Sequence, residues 1–339
     1  MFLKNAWYVV ARTDDVTPTL TAHTILGENI VMYRRDDGTP VALDDACPHR
    51  KLPLSMGRLQ GDHIECGYHG MVIDSSGQCV HIPSQTSIPK KAKVAAHPLA
   101  EKWGFVWIWM GDPSSVDPST ILTIEHFDDP GWGRTRGDTM ILETNYLNIT
   151  DNLLDPSHVA WVHQSSFAAG GCEDTPLEVE IGQRGVTVFR WILDREPPAY
   201  YAPLVKFEGN CDRLQHYEVR FPSLAINKSV FTPAGTGNRE GALDPRAYIM
   251  VSYNFLTPIN ERQTKYFWFQ HRNTDPDDDA ITASISKGTE AAFEEDRRVL
   301  EGVQRGLDRA GSANVVLGID RAPIRFRQML EEKISKQRG

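Results

Sequence analysis

Apolar positions recur with two periods along this chain, and the change of period divides it. Up to about residue 115 the pattern is that of short strands: residues 29–34, 40–43, 64–73 and 78–82, separated by turn sequences such as Asp36-Asp37-Gly38 and Ser75-Ser76-Gly77. Residues 103–110 close this series, with Trp103, Phe105, Trp107 and Trp109 on one face and Val106, Ile108 and Met110 on the other. Such a strand is buried on both faces, and the whole segment predicts a small antiparallel barrel. After the turn-forming Gly111-Asp112-Pro113-Ser114-Ser115, strand-like runs at 186–193, 247–255 and 266–270 mingle with helical segments around 151–163 and 288–311. The predicted fold class is α+β: an all-β domain over 1–115, then an α+β domain over 116–339 with an antiparallel sheet flanked by helices.

Composition narrows the partners. A chain of 339 residues with 40% hydrophobic and 24% charged residues has the material for about two ordinary globular domains. No run approaches the ~18 apolar residues of a membrane span, and the opening Met1-Phe2-Leu3-Lys4-Asn5-Ala6-Trp7 lacks a secretory apolar core, so a cytoplasmic location is expected. The net charge of −9 and the lack of a basic run argue against nucleic acid. Five scattered cysteines do not make a disulfide framework. Asp275-Pro276-Asp277-Asp278-Asp279 reads as a solvated acidic loop.

Two of those cysteines carry chemistry. Cys47-Pro48-His49 and Cys66-Gly67-Tyr68-His69 form a C-x-H, C-x-x-H array with sixteen residues between the pairs. Two thiolates on one iron and two neutral imidazoles on the other is the ligation of a Rieske [2Fe–2S] cluster, whose potential lies well above that of an all-cysteine centre. Tetrahedral zinc is the alternative for a Cys2His2 set, although zinc sites usually pair cysteine with cysteine and histidine with histidine. Cys79-Val80-His81 imitates a ligand pair but has no second pair in register, and it reads as strand.

The second constellation lies on the first predicted helix, where His158 and His163 stand near Asp151 and Asp155. Two imidazoles and a carboxylate are the ligands of non-haem iron(II) oxygenases. A separation of five turns the second side chain about 140° from the first on a regular helix, so a distortion is expected here, with Pro156 able to supply it. The later helix offers the carboxylate: Phe293, Leu300, Val303 and Leu307 form an apolar stripe with Asp296 in its middle, while Glu294, Glu295, Arg297 and Arg298 project elsewhere. A buried carboxylate is normally paired or metal-bound, leaving Asp296 either the third ligand or half of a buried ion pair.

These motifs, with Asn5-Ala6-Trp7-Tyr8-Val9, Asp151-Asn152-Leu153-Leu154-Asp155 and Phe293-Glu294-Glu295-Asp296, resemble the Rieske non-haem iron oxygenases over nearly the whole chain. The likeness is strongest to the oxygenase components of dicamba O-demethylase, vanillate O-demethylase and toluenesulfonate methyl-monooxygenase. It implies a cluster on Cys47, His49, Cys66 and His69, and mononuclear Fe(II) on His158, His163 and Asp296. It further implies that Asp155 bridges an iron-ligand histidine to His69 of the partner subunit in a homotrimer, and that Asn152 lies near the iron. Pro156 departs from the relatives, which carry larger apolar residues there. Electrons would come from an NADH-dependent flavin reductase, directly or through a ferredoxin. The implied reaction is O- or N-demethylation or side-chain monooxygenation of a substituted aromatic compound with O2, as in aromatic catabolism. Ring cis-dihydroxylation is the alternative on the same ligands, and a pure electron-transfer protein would need no second iron. Residues 197–231 are the expected pocket wall, with Tyr200, Tyr201, His216, Tyr217, Arg220 and, from a later strand, His271 as candidate substrate contacts. Arg220 is the candidate clamp for a carboxylate.

Overall fold

The computed structural model describes residues 2–164, 167–168, 171–237, 242–309, 311 and 314–337. The chain divides into two compact units, Met1–Ile124 with Thr257–Glu261, and Glu125–Leu256 with Arg262–Gly339. The first runs on past residue 115 because its tryptophans hold the continuation: the Trp7 indole donates to the Asp117 carbonyl at 2.9 Å and the Trp103 indole to the Leu122 carbonyl at 2.6 Å.

The first unit is all β. Thr21–Ile25, Glu28–Arg34 and Pro40–Asp44 make one antiparallel sheet, Ala6–Arg12, Phe105–Met110 and Leu99–Lys102 a second, and four short strands from Arg58 to His81 a third. Every residue of Phe105–Met110 is buried, as its two apolar faces require. Trp103 is not part of that strand. It forms a two-residue hairpin with Gly104, both at positive φ (61° and 76°), a turn whose twist matches the flanking strands. The expected strand over 64–73 is likewise interrupted, into His63–Glu65 and Val72–Ile73, by the loop that carries Cys66 and His69.

The second unit is built on an eight-stranded antiparallel sheet. Its central strands, Cys211–Arg220, Leu224–Pro233, Tyr248–Asn260 and Gln263–Arg272, are each ten residues or longer. Among the described residues four helices accompany it: α1 (Tyr146–Leu153), α2 (Val159–Val162), α3 (Asp279–Arg309) and α4 (Arg321–Lys336). Instead of one distorted helix over 151–163 the chain breaks in two. The residue before a proline avoids helical backbone, and Asp155, which precedes Pro156, instead caps a turn by accepting from the Ser157 amide at 2.9 Å.

The long helix α3 starts at Asp279, where Asp278 accepts from the Ile281 amide. It buries Ile285, Thr289, Ala292, Asp296 and Leu300. The expected stripe fails at its far end, since Val303 and Leu307 are 43% and 40% exposed. Among the described residues no helix is long and apolar enough to cross a membrane.

Candidate active site

Cys47 and Cys66 are buried in the first unit while His49 and His69 are exposed, with ring centroids 4.6 Å apart. The two ligand loops share one local design. In each, the amide four residues beyond the cysteine returns to the cysteine carbonyl (Lys51 to Cys47 at 2.9 Å, Gly70 to Cys66 at 3.1 Å), and the cysteine amide donates to the carbonyl five residues on. Close packing leaves little room: a Cβ on Gly57 would lie 2.3 Å from the Glu65 carbonyl oxygen, and Gly70 takes a φ of +68°. Burial pushes the Cys47 thiol up, a cost that metal–thiolate bonding removes.

In the second unit, His158 and His163 are the residues flanking the four-residue helix α2. One short turn of helix thus carries a ring at each end, both directed at Asp296 of α3, and this accommodates the spacing of five. Nε2 of His158 lies 3.6 Å, and Nε2 of His163 3.3 Å, from the same oxygen of Asp296, Oδ1. The three ligand atoms lie within 4.8 Å of one another, and this is the one such group among the described residues.

The outer nitrogens of both rings are occupied. Nδ1 of His158 bonds the Asp155 carbonyl, and Nδ1 of His163 lies 2.7 Å from Oε2 of Glu295. Since a carbonyl or carboxylate accepts, Nδ1 carries the proton in both rings and Nε2 offers its lone pair to the shared point. Burial opposes charging of His163, but Asp296 and Glu295 outweigh it and hold its pKa up. Asn152 completes the group, its Nδ2 donating to Asp296 Oδ1 at 3.3 Å. Glu295 does not project elsewhere: it turns back to His163 from the position beside Asp296. Only the tertiary placement of α2 shows that. Glu295→Ala is expected to weaken mononuclear iron binding by roughly 10- to 100-fold, the usual effect of losing an outer partner of a metal-bound imidazole. Competition with a chelator measures it, and unchanged affinity would remove Glu295 from this role.

The triad opens on a cavity of about 620 Å3, its mouth included, entirely within the second unit. Phe167, Tyr201, Tyr217, Met250 and Phe293 give it flat apolar walls. The other expected contacts lie elsewhere. Side chains alternate along Cys211–Arg220, so His216 turns to the far face beside Phe189, and Arg220 is held by Glu218 at 2.6 and 2.8 Å. His271 is buried against Trp132, and burial pushes its imidazole down to about 4, so it is neutral at physiological pH. Tyr200 packs on Phe167 behind the wall.

The family described as the vanillate O-demethylase oxygenase C-terminal domain matches residues 142–336, and the Rieske [2Fe-2S] domain matches residues 6–94. The chain belongs to the vanillate O-demethylase oxygenase family. It is 35% identical to the toluene-4-sulfonate monooxygenase system iron-sulfur subunit of Comamonas testosteroni, over 100% of this chain and 99% of that one. It is 32% identical to the oxygenase component of chloroacetanilide N-alkylformylase from Rhizorhabdus wittichii, over 99% and 97%. Dicamba monooxygenase bound to 3,6-dichlorosalicylic acid has the same fold, with a TM-score of 0.91 at 28% identity, over 100% and 99% of the chains. This Rieske oxygenase is thus an oxidoreductase of the demethylase and monooxygenase type. It carries a [2Fe–2S] cluster and a mononuclear non-haem iron. As an oxygenase component it receives its electrons from a partner protein.

Proposed function

We propose that this oxygenase oxidises an alkyl group carried by a substituted aromatic compound, by O- or N-demethylation or by side-chain monooxygenation. The carrying observation is the convergence of His158, His163 and Asp296 on one wall of a cavity whose other walls are flat and apolar. Cys47, His49, Cys66 and His69 would hold the cluster, in a domain ending near residue 115 to 124, and the other three the iron(II), in the domain that follows. When bound, the iron supplies the activation of O2, using electrons that the cluster passes on.

The chain supplies the rest. Asp155 and Glu295 fix the two imidazoles through Nδ1, and Asn152 steadies the Asp296 carboxylate, so the donor set is arranged before a metal arrives. The apolar walls exclude water and stack on a ring. Asp155 keeps one carboxylate oxygen without a partner among the described residues, and His69 is exposed. Both features suit a homotrimer in which Asp155 meets His69 of the partner subunit and carries the electron path. An NADH-dependent flavin reductase, directly or through a ferredoxin, is the proposed donor, and the cytoplasm the proposed location.

The relatives' names favour alkyl oxidation over ring dihydroxylation, and the mass of the product decides. In a single turnover of the chemically reduced enzyme with O2 and a panel of methoxy-, N-alkyl- and methyl-substituted aromatics, the product is expected to lose CH2 or gain one oxygen. Gain of two oxygens and two hydrogens would make the enzyme a ring dioxygenase.

A further inference from the structure

Among the described residues of the first unit one charged side chain is buried, and it lies two positions before Cys47. Asp45 is 7% exposed, and no cation among the described residues pairs with it. A single residue satisfies both of its oxygens: the Ser55 amide donates to Oδ1 at 2.7 Å, and the Ser55 hydroxyl to Oδ2 at 2.6 Å. Burying a carboxylate without a counter-charge is costly, so its presence at this point calls for a role other than stability.

The surroundings of Ser55 supply one. Ser55 sits in the short turn Leu54–Met56, which Gly57 closes by donating to the Leu54 carbonyl at 2.9 Å. That turn is pressed against both chain neighbours of Cys66. A Cβ on Gly57 would lie 2.3 Å from the Glu65 carbonyl oxygen, and one on Gly67 would lie 3.0 Å from the Met56 carbonyl oxygen. A continuous path therefore joins the two ligand loops, from Asp45 to Ser55, through Met56 and Gly57, and onto Glu65 and Gly67 beside Cys66. No disulfide does this work, since all the cysteines are free.

Charge acts over the same short range. Two residues of chain span at most about 7 Å, which keeps the Asp45 backbone that close to Cys47. The potential of an iron–sulfur cluster depends on the charge and hydrogen bonding around it. A buried negative charge is poorly screened by salt and opposes the arrival of a further electron.

We propose that Asp45, clamped by Ser55, is a positioning residue for the cluster: the clamp fixes the spacing of the two thiolate-bearing loops, and the buried charge holds the reduction potential down. A lower potential makes the reduced cluster the stronger electron donor towards the mononuclear iron. The inference rests on the reading that Cys47 and Cys66 hold the cluster.

Asp45→Asn separates charge from clamp, because its side-chain amide can accept from the Ser55 amide and donate to the Ser55 hydroxyl. Asp45→Ala removes both. A redox titration of the holoenzyme, followed by its visible and EPR spectra, is expected to show the potential of Asp45→Asn raised by about 59 mV, a roughly tenfold shift of a one-electron equilibrium. Its g values and its rate of cluster loss to a chelator should stay those of the wild type. Asp45→Ala should lose its cluster at least about 10-fold faster, as removal of an outer partner of a metal ligand does, while the mononuclear iron of the second unit is retained as a control for folding. An unshifted potential in Asp45→Asn overturns the inference, and does so even where Asp45→Ala fails to fold. Cluster loss from Asp45→Asn as fast as from Asp45→Ala, or from Asp45→Ala as slow as from the wild type, overturns it too. A Cys47→Ala protein that keeps the native Rieske spectrum would bring down the ligand reading itself, and this inference with it.

Discussion

Asp296→Ala is expected to leave the visible Rieske spectrum unchanged while iron content falls from about three to about two per chain and turnover disappears. Asp296 supplies the one oxygen that faces both Nε2 atoms, at 3.3 and 3.6 Å, and it is buried on the inner face of α3. Its loss leaves two imidazoles, too few donors to hold iron(II) against solvent. The drop in activity should exceed the roughly 100-fold typical of an outer partner. The ligands of the cluster belong to the other compact unit, so its absorbance is an internal control for folding. Metal analysis and the visible spectrum on one sample settle the matter, and a variant that keeps its third iron and its turnover would remove Asp296 from the site.

Arg190→Met should lower the melting temperature by roughly 6–12 °C and release the mononuclear iron before the cluster. Arg190 is 2% exposed, and no carboxylate of the described residues pairs with it. Its guanidinium donates to Gln215 Oε1 at 2.7 Å and to the carbonyls of Cys172, Thr175 (3.1 Å) and Pro156 (3.2 Å). It thereby ties the break between α1 and α2 to strand Gly185–Arg195. Hydrogen bonds from a charged donor contribute about 1.5–3 kcal/mol each and are not additive. A total near 3 kcal/mol corresponds to the quoted shift for a unit of this size. Differential scanning calorimetry with iron analysis tests it. Wild-type melting would mean that water replaces the guanidinium at little cost.

The proposed cluster ligands stand out in the sequence because each pair is contiguous and its donor chemistry is specific. The convergence of His158, His163 and Asp296 is only half legible in the sequence. Asp296 stood out as a charge within an apolar stripe, yet Val303 and Leu307 of that stripe are exposed, and the face that packs runs through Ile285, Thr289 and Ala292 instead. Helix α4 is absent from the expected elements, although Ala322, Phe326, Leu330 and Ile334 repeat at four-residue spacing and are buried. Glu295 and the cross-strand row of Tyr217, Asn227 and Ser252 could not be read at all. Glu295 depends on where α2 docks, and the row depends on the register of strands whose residues are far apart in sequence. His216 and Arg220 fall outside the expected pocket wall because the sequence does not give the phase of their strand, and a one-residue error on a strand moves a side chain to the opposite face.

That Asn254 is oriented partly by main-chain carbonyls bears on how this enzyme would respond to engineering. Replacing the side chains at positions 225 or 252 leaves their carbonyls in place. Most mutations in a randomised cavity library would therefore reshape its volume while leaving the Asn254 amide turned the same way.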